Sequence, residues 1–435
     1  MKPHLLALSV VSAPVLTLAL LAAEPDAHAC GGCAVPPDTN TQVTGHRMIL
    51  AASKTQTTLY DQIEYSGAPE SFAWFLPIKG QVDIGLSADA LFALLNDSSQ
   101  VTVFPPPLKC VSSSRNGLAS AEDSASGGGS VYVPPDEEVN VIAKETVGPY
   151  ETVQLDATTP AALTGWLTDH GYFIPDDVKP VIEAYQKEGF DFLAMKLVPG
   201  QGVKSMRPVR VTTPGGALAL PLRMVAAGTG AVTPVLLHVV AEGRYEVANR
   251  TNWQIPAGLL VWDWDQGTSN YRELREGLFG AAGSDAWLVE SAAPFYKDSF
   301  SLAVQYQIEG NPGQSGWGDP DNGVTELDDA KADLDTLFAG MDPQSAWVTR
   351  MYAKLSRGAL AEDLVLQAAS AQEPVGRFLQ APVGKGTPPA CPAVPLDWSC
   401  AFGAPERDGT ALFLGVTGLV AGLAFARRRR GARRG

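Results

Sequence analysis

Hydrophobic and polar positions along the first half of the chain follow mostly strand-like patterns. Leu59, Ile63 and Tyr65, with Asp61 and Glu64 between them, predict a half-buried antiparallel strand over 58–65. Neighbouring strands are expected at 48–52 and 72–78, the second entered through the turn Ser66-Gly67-Ala68-Pro69. Ser87 is placed to cap a helix over 88–95, with Leu91, Leu94 and Leu95 on one face. Two strands, 139–143 and 150–155, flank the turn Gly148-Pro149. Thr159-Pro160 opens a helix running to about 170 with Leu163, Trp166 and Leu167 inward. A second helix starts at Asp176 or Asp177, carries Val181, Ile182 and Tyr185 as its stripe, and ends at Gly189. Strands follow at 190–198, 208–213, 218–225 and 235–241, then helices at 271–279, 327–338 and 347–355. The resulting fold class is α+β, a predominantly antiparallel sheet with inserted helices, plus one C-terminal transmembrane helix.

The two ends are of another kind. Lys2, an uncharged run over 5–23 and Ala27-His28-Ala29 predict a signal peptide over 1–29, leaving Cys30 as the first mature residue. At the other end 409–426 is uncharged and spans about 27 Å as a helix, enough for a thin bilayer core. Arg427, Arg428, Arg429, Arg430, Arg433 and Arg434 follow at 427–435 and belong on the cytoplasmic side, so the body faces outward. Between the ends, 30–104 and 137–370 read as two parts of one α+β domain. They are separated by a Pro/Ser/Gly-rich linker or insertion at 105–136, and a Pro-rich stalk occupies 371–408.

The net charge of −15 becomes more negative once the basic tail is set aside, so the exported body is strongly acidic. Such a surface repels the phosphate backbone, and nucleic acid is not expected as a partner. All five cysteines, Cys30, Cys33, Cys110, Cys391 and Cys400, lie in the exported part, where disulfides persist. The odd number sets one apart. Cys30 carrying a lipid leaves four for two bridges, whereas a modified Cys400 lets Cys30 and Cys33 close on each other. The pair Cys30-Gly31-Gly32-Cys33 also has redox or zinc spacing, but Pro36-Pro37 follows and leaves no helix to lower a thiol pKa.

Candidate chemistry is sparse. Gly-x-Ser-x-Gly, His-Glu-x-x-His and phosphate-loop patterns do not occur, and His170 sits at a predicted helix end, where capping accounts for it. Asp319-Pro320-Asp321-Asn322-Gly323 with Asp329 beyond approximates a calcium loop, making Asp319, Asp321 and Asp329 candidate ligands. The glycine comes one position early, and acids at a helix N-terminus account for the same residues. Trp253, Trp262 and Trp264, with Asp263 and Asp265 among them, are candidate stacking platforms for an envelope glycan or a protein segment, unless they serve the core.

Several separated blocks together resemble one family. These are Cys30-Gly31-Gly32-Cys33; His46-Arg47-Met48 and the run 55–65; Ala73-Trp74-Phe75-Leu76-Pro77-Ile78; Leu220-Pro221-Leu222-Arg223; Glu246-Val247-Ala248-Asn249; and Val348-Thr349-Arg350-Met351 with Glu362-Asp363-Leu364-Val365-Leu366. In this order they are similar to the bacterial domain-of-unknown-function 2330 family over about 30–370, a resemblance that implies export and carries no catalytic residues. The segment from Cys400 through the apolar helix to the arginines resembles the sorting tails of myxobacterial surface proteins. The expectation is an exported, membrane-tethered cell-envelope protein, structural or binding at the cell surface, without cofactor unless calcium. A secreted envelope hydrolase with a carboxylate site is the alternative.

Overall fold

The computed structural model describes residues 33–34, 42–66, 73–108, 139–172, 174, 176, 178–199, 206–216, 218–226, 232–281, 285–310 and 326–390. The chain opens with strands β1 (Cys33–Ala34), β2 (Gln42–Ala52), β3 (Gln56–Ser66), β4 (Ala73–Ile78) and β5 (Asp83–Leu86). The β2–β3 turn is tied by the Ser53 hydroxyl, which accepts from the Gln56 amide and donates to the Gln56 carbonyl. Helix α1 (Asp89–Ser99) and β6 (Thr102–Phe104) come next, then the hairpin β7 (Val139–Val147) and β8 (Tyr150–Ala157). Gly148 turns that hairpin at φ +54°, a conformation a side chain disfavours.

Helix α2 (Pro160–Asp169) starts where the Thr159 hydroxyl accepts from the Ala162 amide at 3.2 Å. Helix α3 (Lys179–Lys187) leads into Gly189, whose positive φ releases the chain into β9 (Asp191–Leu197). Then follow β10 (Val209–Pro214), β11 (Ala219–Leu220), α4 (Leu222–Ala226), β12 (Val232–Glu242), β13 (Tyr245–Val247), β14 (Thr251–Trp253), β15 (Val261–Asp263) and β16 (Thr268–Ser269). The last elements are α5 (Tyr271–Ala281), β17 (Ala286–Pro294), α6 (Lys297–Gly310), α7 (Glu326–Leu337), β18 (Ala346–Ser356), β19 (Leu364–Ala368), β20 (Phe378–Gln380) and β21 (Val383–Lys385).

Two sheets dominate. The larger has the order β14-β17-β18-β12-β2-β3-β10-β5, the smaller β1-β4-β9-β8-β7. Every pairing in the smaller sheet is antiparallel, and in the larger only β12–β2 and β14–β17 run parallel. The antiparallel α+β class expected from the sequence is therefore observed.

Strand periodicity sorts the side chains into layers. On β2, Met48 and Leu50 join Leu237 of β12 and Met351 of β18 in one core, while Ile49 and Ala51 face α1, α6 and α7. On β4, Trp74, Leu76 and Ile78 meet Val209 and Val211 of the larger sheet, while Phe75 meets Leu163, Leu167 and Ile182 of α2 and α3. The two sheets thus share an inner layer, with helices on the far side of each.

Five features differ from expectation. The segment 347–355, expected as a helix, lies in β18 between β17 and β12; Arg350 and Lys354 resemble a polar helix face, but Met351, Ala353 and Leu355 alternate into the core. The strand expected at 218–225 ends at Leu220, because Pro221 has no amide for the ladder and instead precedes α4. Ser87 does not cap α1: its hydroxyl donates to Asp333, and the Ala88 amide donates to the same carboxylate. The pattern gives no sign of α6, because Leu302 and Tyr306 are exposed while Phe300 and Val304 are buried, which blurs its apolar stripe. Beyond residue 370, in the expected stalk, Val375 bridges Ala292, and β20 and β21 pair with β6 and β15, so body pairing continues to Lys385.

Candidate functional site

A short hairpin builds an open groove. The Asp263 carboxylate accepts from the Asp265 and Gln266 amides at 3.0 Å each, closing the turn between β15 and β16. The Asn270 side chain accepts from the Val261 amide at 2.8 Å and donates to the Leu259 carbonyl, fixing the base of the hairpin. Trp262 pairs with Ser269 on one side and with Gly384 of β21 on the other. Gly384 is bare because the Trp264 indole fills the space a β-carbon would need. The Trp262 and Trp264 rings meet edge to face at 6.4 Å, which braces Trp262 from behind.

The groove in front measures about 400 Å³ and is walled by Trp262 and Tyr271, with Thr268, Ser269, Arg272 and Glu273 along its rim and Val101 and Val103 beneath. Tyr271 is held in place by its hydroxyl, which donates to the buried Glu290 at 3.1 Å; burial and that carboxylate push the phenol far above its usual range. Arg272 and Glu273 are mostly exposed and 3.8 Å apart, so both remain available to a ligand. Lys385 lies 3.0 Å from Asp263 and, with the turn amides, holds that carboxyl below the ordinary range. The arrangement offers an aromatic wall for an apolar ring face and charged and hydroxyl groups for polar edges.

The aromatic candidates are therefore divided. Trp262 and Trp264 lie together, one lining the groove and one supporting it. Trp253 stands 42 % exposed on β14, the edge strand of the larger sheet, and does not line the groove.

Two buried histidine clusters invite comparison with catalytic sites. The His238 Nε2 lies 3.0 Å from the Ser99 hydroxyl, but burial and Arg350 push its pKa down to about 3, so it stays neutral at ordinary pH. The Ser99 hydroxyl already donates to the Leu95 carbonyl, and His238 Nδ1 has no partner among the described residues to orient the ring. Arg350 dominates this cluster, donating from Nε to Glu290 at 2.6 Å and from Nη1 to Asn96 at 2.9 Å. It is a polar staple between β18, β17 and α1 rather than a nucleophile and base. In the second cluster His46 Nδ1 sits 3.2 Å from Asp61 with both residues buried, on the face that β3 turns toward the smaller sheet.

The remaining candidates are scattered. Asp329 is taken by Arg207 at 2.7 Å on the first turn of α7, while Asp319 and Asp321 lie outside the described residues. No group of three His, Cys, Asp or Glu among the described residues could hold a metal ion. Cys33 lies on β1 in register with Trp74; Cys30, Cys110, Cys391 and Cys400 lie outside the described residues. So do the expected signal peptide at 1–29, most of the expected linker at 105–136, and the expected transmembrane helix and basic tail at 409–435. Among the described residues no helix is long and apolar enough to cross a membrane. His170 occupies the C-cap of α2, its Nδ1 2.7 Å from the Trp166 carbonyl and its ring stacked on Trp166.

Sequence reasoning found Trp262 but missed Tyr271 as a wall and Glu290 as its anchor. The available signal was the polar Glu290 inside the apolar run 286–293, which in a buried strand calls for a partner.

No curated protein and no solved structure matches the chain. One family model does match, and it spans residues 24–365, taking in both large sheets, the helices around them and the aromatic hairpin. Over that span the chain belongs to the family described as uncharacterized protein conserved in bacteria (DUF2330).

Proposed function

We propose that the protein is an exported, membrane-tethered cell-envelope protein whose acidic body binds envelope glycan in the Trp262 groove. Support for the location comes from the leader at 1–29 and from the apolar segment and arginine cluster at 409–435. The observation that carries the binding reading is the prepositioned Trp262 ring, braced by Trp264 and facing a groove rimmed by hydroxyl and charged side chains. A sugar ring presents C–H faces to an aromatic wall and hydroxyls at its edge, so it uses both kinds of surface at once. Arg272 supplies a cation for the carboxylates that envelope glycans carry, which the acidic body otherwise repels.

Cosedimentation of the full-length protein with isolated cell-wall glycan tests the groove. Trp262→Ala is expected to weaken retention about tenfold, the scale at which loss of one aromatic anchor is felt. Trp253→Ala, exposed and outside the groove, should leave retention unchanged. Equal retention of both variants and the parent overturns the reading. Fractionation of intact cells with mass spectrometry of the mature termini tests the location; a cytoplasmic protein retaining residues 1–29 overturns that half.

A further inference from the structure

A second site, independent of the groove, lies in the inner layer between the two sheets. A cavity of about 260 Å³ opens there, walled by Leu50, Leu59, Leu76, Ile78, Val211 and Leu220 from five strands. It brings together four of the blocks that carry the family resemblance, contributed by β3, β4, the β11–α4 junction and the residues before β19. The space is a cleft partly open to solvent, and it leaves apolar side chains of both sheets uncovered that a closed core would pack. Water gains little there, because apolar walls offer it few partners, whereas an apolar guest is drawn in.

Besides Thr213 and Thr57, whose hydroxyl donates to the Gly215 carbonyl, the polar lining residues are Asp363 and Lys79, and they differ in availability. Asp363 is fully engaged: one oxygen accepts from the Tyr185 hydroxyl and the Arg223 amide, the other from the Arg223 guanidinium at 2.8 Å. Arg223 is engaged in turn, since it also clamps Glu188 through two bonds of 2.6 Å and stacks on Tyr185. Lys79 is exposed, with its ammonium 4.4 Å from the Phe190 ring centroid, and makes no ion pair among the described residues. Among the described residues, Lys79 is thus the lining cation that no carboxylate holds in an ion pair, with Glu188 within its electrostatic reach.

We propose that this cavity binds a single-chain amphiphile with an anionic head, a fatty-acid-like molecule whose chain enters between the sheets while its head meets Lys79. The volume favours one slender chain, since it falls just short of the roughly 300 Å³ at which pockets for bulkier ligands begin. Lys79 sets the sign of the head.

The test uses the full-length protein in lipid nanodiscs and a dodecanoate carrying a diazirine at the chain end. Illumination is expected to label Leu59, Leu76 or Leu220, and free dodecanoate should compete with the probe more strongly than dodecanol or dodecyltrimethylammonium. Lys79→Glu should weaken labelling about tenfold and Lys79→Arg restore it, as loss and return of one charged contact require. Because Lys79 is exposed, neither change threatens the core. If dodecanol competes as well as dodecanoate, or Lys79→Glu labels like the parent, the anionic head is refuted while the cavity stands. If no lining residue is labelled, the site itself is refuted. Neither outcome touches the glycan groove, which Trp262→Ala reports separately.

Discussion

Asp333→Ala is expected to remove about 3–5 kcal/mol of folding stability, the cost of breaking a buried ion pair by deleting one partner. Asp333 sits on α7 with no exposure. One of its oxygens accepts from the Ser87 hydroxyl and the Ala88 amide, both at 2.8 Å, and so ends the chain's approach to α1. The other accepts from Arg210 at 2.9 Å, on β10. Its backbone carbonyl accepts from the buried Tyr60 hydroxyl on β3. One residue thus joins α7, α1 and two strands of the larger sheet, and its loss takes the acceptor from the Ala88 amide and the counter-charge from Arg210, which keeps only the Leu86 carbonyl among its hydrogen bonds to described residues. Gly85 on β5 belongs to the same device: a β-carbon there would lie within 2.6–2.8 Å of the Arg210 guanidinium, so Gly85→Ala should reproduce part of the defect. Denaturant unfolding reads both changes. A loss below about 1 kcal/mol for Asp333→Ala would falsify the account.

The same carboxyl predicts a pH dependence. Burial pushes the Asp333 pKa up to about 6, although the bonds from Ala88 and Ser87 and the charge of Arg210 pull it down. The unfolded chain releases that proton near the ordinary aspartate value of about 4, so between the two values the native state binds more protons. The proton-linked part of the stability is fully present below about pH 4 and is lost as pH rises through about 6. Stability of the parent relative to Asp333→Asn should therefore fall between pH 4 and pH 7; a rise would reverse the sign and sink the argument.

Glu290→Ala should be comparably damaging, again by about 3–5 kcal/mol, because it leaves Arg350 charged and enclosed. Glu290 and Arg350 are 5 % and 7 % exposed and face each other at 2.6 Å across β17 and β18. The double change Glu290→Gln with Arg350→Met should cost less than Glu290→Ala alone, since it removes the orphaned charge and keeps an acceptor for Tyr271. A double-mutant cycle by urea unfolding decides; strict additivity would mean the two residues do not act as a pair. Glu290 also anchors Tyr271, so Glu290→Ala should loosen the groove and weaken glycan retention even under conditions where the protein remains folded.

Much of the fold was legible in the sequence because it rests on local rules. The alternation around Leu59 gave β3, Thr159-Pro160 gave the start of α2, and Gly148 and Gly189 gave a hairpin and a helix end through their backbone freedom. The errors fall where a local pattern admits two readings. In 347–355, Arg350 and Lys354 fit a helix's polar face as well as a strand whose charges are paired across a layer, and only the partners Glu290 and Glu276 decide between them. Ser87 has the chemistry of a cap, yet Asp333, more than two hundred residues away, takes that place.

For the candidate sites the division is sharper. Trp262 and Trp264 were visible as aromatic residues beside acids, but whether they serve the core or a surface depends on β21 and α5 arriving beside them. The interlayer cavity was not visible at all, since each of its walls reads as an ordinary apolar strand. The sequence by itself determined which residues avoid water and where the chain turns, because these follow from side-chain chemistry and nearest neighbours. Tertiary structure alone decided which buried charges pair, which aromatic ring meets solvent, and where two apolar faces fail to close, because these depend on surfaces brought together from distant parts of the chain.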